Sequence, residues 1–218
     1  MLLESGSQEL GRLVLLVPGR RAGRRLLELL VAEAGGAIEP PRIVTEAGLA
    51  QALAIRPLSL ASPQTVEWAW FDALSQAGPE AWAVFSPQQR GDASFSVRWS
   101  LARQLAALDR EVAAEGDDVG ARSLAPAASA RQKVLAALSL RVREALARSG
   151  RIDPSRAIGE VAAAEGRRAG LELVLVGVVE ISPALRALLG SLTPRPRALI
   201  QASDDCAGGF DEFGAARL

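Results

Sequence analysis

Basic side chains crowd one short stretch of this chain, where Arg20, Arg21, Arg24 and Arg25 follow an apolar run, Leu13–Val17, and a Pro18-Gly19 break. A strand, a Gly-containing turn and a helix form a place where phosphates bind, because free N–H groups and the helix dipole converge there. A working phosphate loop needs Gly, four residues, then Gly-Lys-Ser/Thr, with the Lys on the outer phosphates and the hydroxyl on magnesium. Aligned on Gly23, the chain has Arg24 at the Lys position, Arg25 at the hydroxyl position and Pro18 in place of the first Gly. A guanidinium cannot ligate Mg²⁺ and repels it. Gly19, Gly23, Arg24 and Arg25 thus read as a degenerate phosphate loop, and a plain strand–turn–helix junction explains the same residues equally well.

A second apolar stretch, Leu173-Val174-Leu175-Val176-Gly177-Val178, lies where a nucleotide hydrolase places a strand ending in Asp-Glu. Gly177 and Val178 occupy those carboxylate positions, which leaves no general base. The chain has no His, which excludes Ser-His-Asp catalysis and His-liganded metal sites. Its one cysteine, Cys206, reads as a small semi-buried residue and forms neither an intrachain disulfide nor a zinc cage. Asp204, Asp205, Asp211 and Glu212 read as a solvated acidic loop rather than a metal site. No metal, ATP or other cofactor is expected. The arginine cluster has two readings: a solvated helix face with Glu28 and Glu33 as neighbours, or a seat for DNA phosphate or a partner's acidic surface. Cationic charge at a helix N-terminus opposes the dipole, which favours an anion there.

The elements that position these residues follow from apolar spacing. Leu13–Val17 is a strand covered on both faces, and a helix from about Arg21 to Ala34 ends at Gly35-Gly36. Arg42–Thr45 is a second strand and Glu46 to about Ile55 a short helix, an order that implies parallel strands. From Ser62 to about Gly166 no strand is expected. Helices begin instead near Pro63, Ser94 and Ala128, and Glu115–Ala130 reads as an exposed connection. The four Trp (68, 70, 82, 99) all fall in this region, as helix–helix core or as base-stacking surface. Leu171–Val179, a helix capped by Ser182-Pro183 and reaching Leu189, and a last strand, Arg197–Ala202, complete the pattern.

The segments LVLLVPGRRAGRRLLELL, PPRIVTEAGL, LVLVGVVEISPALRALLGSL and ALIQASDDCAGGFDEFG, in this order, resemble the N-terminal helicase-like region of AddB-type subunits. Those subunits belong to bacterial helicase–nucleases of double-strand-break repair, often described as PD-(D/E)XK nuclease family proteins. The four segments parallel the phosphate loop, the strand ending in a DNA-contacting Thr, the Asp-Glu strand and the sensor strand of the UvrD/Rep-type superfamily 1 fold. The resemblance gives Thr45 a phosphate contact, a role compatible with capping the helix at Glu46. It sets the family's sensor Gln near Asp205 and its Arg at Asp211, after Phe210. Thr45, Gly23 and Phe210 fit the pattern; most catalytic positions do not. It implies a helicase domain that has lost ATP hydrolysis, without the nuclease, its iron–sulfur cysteines or the second motor domain.

The expected fold is α/β: a three-layer parallel sheet, P-loop NTPase-like but degenerate, built from residues 1–60 and 167–218 and interrupted by a helical insertion over 61–166. Hydrophobic residues at 49 % and balanced charges, 25 basic and 25 acidic, fit a globular chain with no bulk attraction to nucleic acid or membrane. The N-terminal segment MLLESGSQEL lacks the order of a signal peptide, and cytoplasmic location is expected. The expected role is non-catalytic: no catalytic residue, Arg20, Arg21 and Thr45 toward DNA, and a helicase–nuclease subunit as partner. A residual ATPase using Arg24 for the Lys, and an interaction module without DNA contact, stand as alternatives.

Overall fold

The structure, a computed structural model, describes residues 10–35, 38–85, 93–116, 128–164 and 170–216. The expectations for the N-terminal segment, for most of the 115–130 connection and for the boundary at 167 lie outside these residues. The chain divides into two compact units. A sheet unit comprises the residues up to Pro57 and from Ile158 onward, and a helical unit comprises Leu58–Ala157.

The sheet unit is α/β, with four strands among the described residues: β1 (Leu13–Leu16), β2 (Arg42–Val44), β3 (Glu172–Val176) and β4 (Arg197–Leu199). All pairings are parallel, in the order β2-β1-β3-β4. All four residues of β1 are buried, as a strand covered on both faces requires. The register pairs Leu15 with Ile43 on one side and with Val174 on the other, so alternate residues share a face. On one face Leu13, Leu15 and Val174 form a core cluster with Leu26 and Leu30 of helix α1 (Arg20–Ala34). Val14 and Leu16 point the opposite way and are equally buried. Because strand order runs outward in both directions from the β1–β3 pair, right-handed crossovers put α1 and α8 (Pro183–Gly190) on opposite faces. Helix α2 (Glu46–Leu53) packs on β1 and β2 through a side that includes buried Leu49 and Leu53.

Several boundaries are tighter than the apolar runs suggest. Helix α1 starts at Arg20, one residue early, which shortens the turn after β1 to Val17-Pro18-Gly19. Its end is as the sequence indicates: Gly35 takes the left-handed conformation at φ 66° and donates to Ala32 O at 3.3 Å. Strand β3 stops at Val176, not Val179, since Gly177 turns the backbone to φ 63°. Strand β4 ends at Leu199 rather than Ala202.

The helical unit contains α3 (Pro63–Ser75), α4 (Pro79–Phe85), α5 (Phe95–Ala114) and α6 (Ala130–Arg148); α7 (Ala157–Ala163) begins where it ends. Ser62 accepts from Thr65 N at 3.1 Å and Pro63 opens α3, as the preference for Pro in the first turn predicts. Ser129 and Gln132 form a reciprocal capping box at α6. Helix α3 packs on both α5 and α6, around Trp70, Leu74, Trp82, Leu105, Leu138 and Val142. Two backbone bonds, Ala61 N to Ile152 O at 2.9 Å and Ile152 N to Ser59 O at 2.8 Å, hold the unit's entry and exit segments side by side in an isolated parallel bridge. One polar group of three is set into the unit: Asp109 Oδ1 accepts from Ser139 Oγ and from Arg156 Nη2, each at 2.9 Å.

Gly23 lets α1 approach the sheet: a Cβ there would lie 2.9 Å from Ile43 Cγ2 and 3.4 Å from Val17 Cγ2. Gly23→Val is therefore expected to lower stability by about 1–3 kcal/mol in urea unfolding through overpacking. Gly19 has extended backbone and open space at its Cβ position, so Gly19→Ala is expected to stay within about 0.5 kcal/mol. In the helical unit, Asp109→Ala strips a buried guanidinium of its carboxylate and is expected to cost about 3–5 kcal/mol by the same measurement.

Candidate functional site

Two concavities flank the C-terminal end of β1, and their chemistry differs. The first, about 460 Å³, lies on the β2 side between the start of α1 and the start of α2, and is lined by Val17, Arg20, Gly23, Arg24, Thr45 and Gly48 among others. Arg20 and Arg24 are four residues apart on the helix, hence on one face. Both are exposed, and among the described residues Arg20, Arg21 and Arg24 have no hydrogen-bond or ion-pair partner. Arg25 is turned to other use: its Nη1 lies 3.1 Å from Glu28 Oε2.

Thr45 occupies the N-cap position of α2 in extended conformation, but its side chain makes no capping bond. Its carbonyl accepts from Gly48 N at 2.9 Å, so the hydroxyl stays available at the rim of the groove. Of the two roles open to Thr45, the structure gives it the backbone half of the cap.

The phosphate-loop alignment meets a different geometry. Gly23 N donates to Gly19 O at 3.1 Å, a bond of the first helical turn. The peptide donors left free at this terminus are therefore those of Arg20, Arg21 and Ala22. Gly23, Arg24 and Arg25 lie within α1 and not in the turn. Gly23 serves the contact between helix and sheet.

The second concavity, about 230 Å³, opens between the ends of β1 and β3, where the order of the sheet reverses. Such a switch point is where doubly wound sheets accept ligands. Pro18, Gly177, Val178, Glu46 and Glu180 line it. Ser182 joins its two walls: the hydroxyl donates to Glu46 Oε1 at 2.8 Å and accepts from Leu185 N at 3.2 Å. Gly177 and Val178 bring no carboxylate, as their types dictate, yet Glu46 and Glu180 place two at the same crevice. The sequence reading missed both; Glu180, three residues past Gly177, was the available signal. The two carboxylates make this crevice unfavourable for an anion. Among the described residues no group of three or more Cys, Asp or Glu is placed to hold a metal ion.

Of the C-terminal acidic residues, Asp205 and Glu212 are exposed, as a solvated loop requires, but Asp211 is tied into the fold. Asp211 Oδ1 accepts from Phe213 N and Ala215 N, each at 2.9 Å, while Oδ2 is held by Arg186 of α8. Glu212 pairs with Arg195 at 2.7 Å. Burial pushes the Asp211 carboxyl up, but the Arg186 guanidinium and the backbone donors of Ala215 and Phe213 outweigh it, and the pKa lies below the ordinary aspartate value. Ala216 N donates to Val179 O at 2.8 Å, fastening the segment beside β3's exit. Cys206 is exposed, not semi-buried, because the short 3-10 helix Asp204–Gly209 carries it outward; Ser203 Oγ donates to its Sγ at 3.4 Å. A hydrogen bond from Ser203 also holds Asp205 below its usual range.

No family model matches the chain, and no curated protein is significantly similar to it. No helix among the described residues is long and apolar enough to cross a membrane.

Since Asp211 binds its proton less tightly folded than unfolded, its contribution is fully present above the ordinary aspartate pKa and fades as pH falls through the lowered folded value. Asp211→Asn is thus expected to reduce stability at neutral pH, with the gap to the unsubstituted protein closing at acid pH. Urea midpoints measured between neutral and strongly acid pH check this; a constant gap would refute it.

Proposed function

We propose that this chain is a non-catalytic, helicase-like module of a DNA break-processing helicase–nuclease, holding DNA by its backbone. In this reading the sheet unit descends from a P-loop NTPase whose motor chemistry is gone. ATP hydrolysis and strand cleavage belong to a partner subunit or to further domains, and the assembly works in the cytoplasm. Four segments in the order of the superfamily 1 motifs support the family half of the reading, by analogy of fold and sequence order.

The observation that carries the DNA half is the groove that Arg20 and Arg24, neither with an acidic partner among the described residues, line together with Thr45, whose side chain makes no capping bond. Guanidinium groups beside a hydroxyl and two helix N-termini suit the oxygens of a phosphodiester, and such contacts position a backbone without reading its sequence. The three-residue turn before α1 favours this over the retention of ATP: it offers few free amides, and Arg24 lies along the helix.

Anisotropy titrations with labelled DNA over a range of salt concentrations test the reading. Binding is expected to weaken as salt rises, and the salt slope to fall by about 1 for each of Arg20→Ala and Arg24→Ala. Thr45→Val is expected to weaken binding without changing that slope. Magnesium-dependent ATP binding at micromolar affinity would overturn the non-catalytic reading, and weak binding insensitive to salt and to these substitutions would point to an interaction module without DNA contact.

A further inference from the structure

The four tryptophans of the helical unit divide into two pairs. Trp70 and Trp82 are buried in the core, with 0 % and 3 % of their surface exposed. Trp68 is 52 % exposed and meets Trp99 outside that core, with ring centroids 4.8 Å apart. Phe71, three residues after Trp68, and Phe95, four before Trp99, complete the group at 5.5 Å and 6.4 Å from Trp68 and 5.1 Å from each other. Phe95 is 59 % exposed, and its plane lies within 6° of that of Trp99. The helical spacings place each pair on one face of α3 or α5.

Leaving Trp68 and Phe95 more than half in water is costly, while Phe71 packs against the core and Trp99 is partly buried. Every ring of the platform touches its neighbours, so each is held before any ligand arrives, which lowers the cost of binding. The size of the surface discriminates between occupants. Half-exposed Trp and Phe offer roughly 100 Å² each, whereas a stable protein interface needs about 800 Å² per partner. A planar base needs only the face of a ring. Beside it on α3, Glu67 Oε1 lies 3.7 Å from Arg103 Nε, and Arg151 Nη1 donates to Thr65 Oγ1, one turn before Trp68. With Arg103 paired to Glu67, these surroundings suit a ligand recognised by its ring faces more than one recognised by charge. Duplex DNA hides those faces in its stack; a single strand presents them.

We propose that Trp68, Phe71, Phe95 and Trp99 form a stacking platform for the bases of single-stranded DNA. This inference rests on the DNA reading above but concerns a different unit and a different part of the nucleotide, so the two can fail separately.

The test compares oligothymidine with an abasic oligomer of equal length, which keeps the phosphates and lacks the bases. The full chain is expected to bind oligothymidine about tenfold more tightly than the abasic strand, with quenching of tryptophan emission by oligothymidine alone. Trp68→Ala and Phe95→Ala are each expected to remove most of that preference while leaving abasic affinity unchanged, which also shows that the variants fold. Arg20→Ala with Arg24→Ala is expected to weaken both ligands and keep the preference. Equal affinity for the two strands, or a preference that survives both aromatic substitutions, overturns the platform and leaves the phosphate groove standing. Failure to bind either strand overturns both readings. Self-association in sedimentation that Trp68→Ala abolishes without changing oligothymidine affinity would make the surface a protein interface and overturn the proposal.

Discussion

The pairing of β1 with β3 is the constraint on which the sheet unit depends. Leu13 through Leu16 meet Glu172 through Leu175, so the chain must return after a long excursion to complete the centre of its own sheet. Closing so long a loop costs entropy only logarithmically in its length, and the burial of both faces of β1 and β3 repays it. The bonds between Ser59, Ala61 and Ile152 reduce the problem further by keeping the ends of the helical unit together. An insertion whose ends are adjacent imposes little strain on the sheet that hosts it.

From that pairing follow the two dissimilar concavities. With β2 on one side of β1 and β3 on the other, the strand's C-terminal end opens toward both, and the loops on each side supply opposite charge. Arg20 and Arg24 face the β2 side, and Glu46 with Glu180 face the β3 side. Glu46 follows Thr45 directly, so a single residue step at the start of α2 separates the arginine-lined groove from the acidic crevice. The boundary between them is sharp because α2 begins without a loop after β2.

Much of the architecture was legible in the sequence because its signals are local. Apolar runs bounded by Gly or Pro mark the strands, and Ser62, Ser129 and Ser182 sit where helices begin. What was not legible depends on distant partners. The run Leu171–Val179 looks like nine residues of strand, yet β3 stops at Gly177 because pairing with β4 and a positive φ decide its end. The helix α4 was missed, since seven residues are too few to show a period. Asp211 looked solvated because nothing in its neighbourhood announces Arg186, which comes from an earlier helix. The tryptophans illustrate the limit best: 68 and 70 differ by two positions, and a helix turns them to opposite environments. In the candidate site, the carboxylates of the crevice, Glu46 and Glu180, became visible only in three dimensions.

The outer strands carry a consequence of their own. Both β2 and β4 are three residues long and each begins with an arginine, Arg42 or Arg197. Arg42 donates to Ala52 O at 3.3 Å, and Arg197 pairs with Glu172 at 3.0 Å, so charged side chains stand at each border of the sheet. Brief, charged margins make a poor template for a foreign strand, and the sheet is thereby guarded against edge-to-edge aggregation without being closed into a barrel.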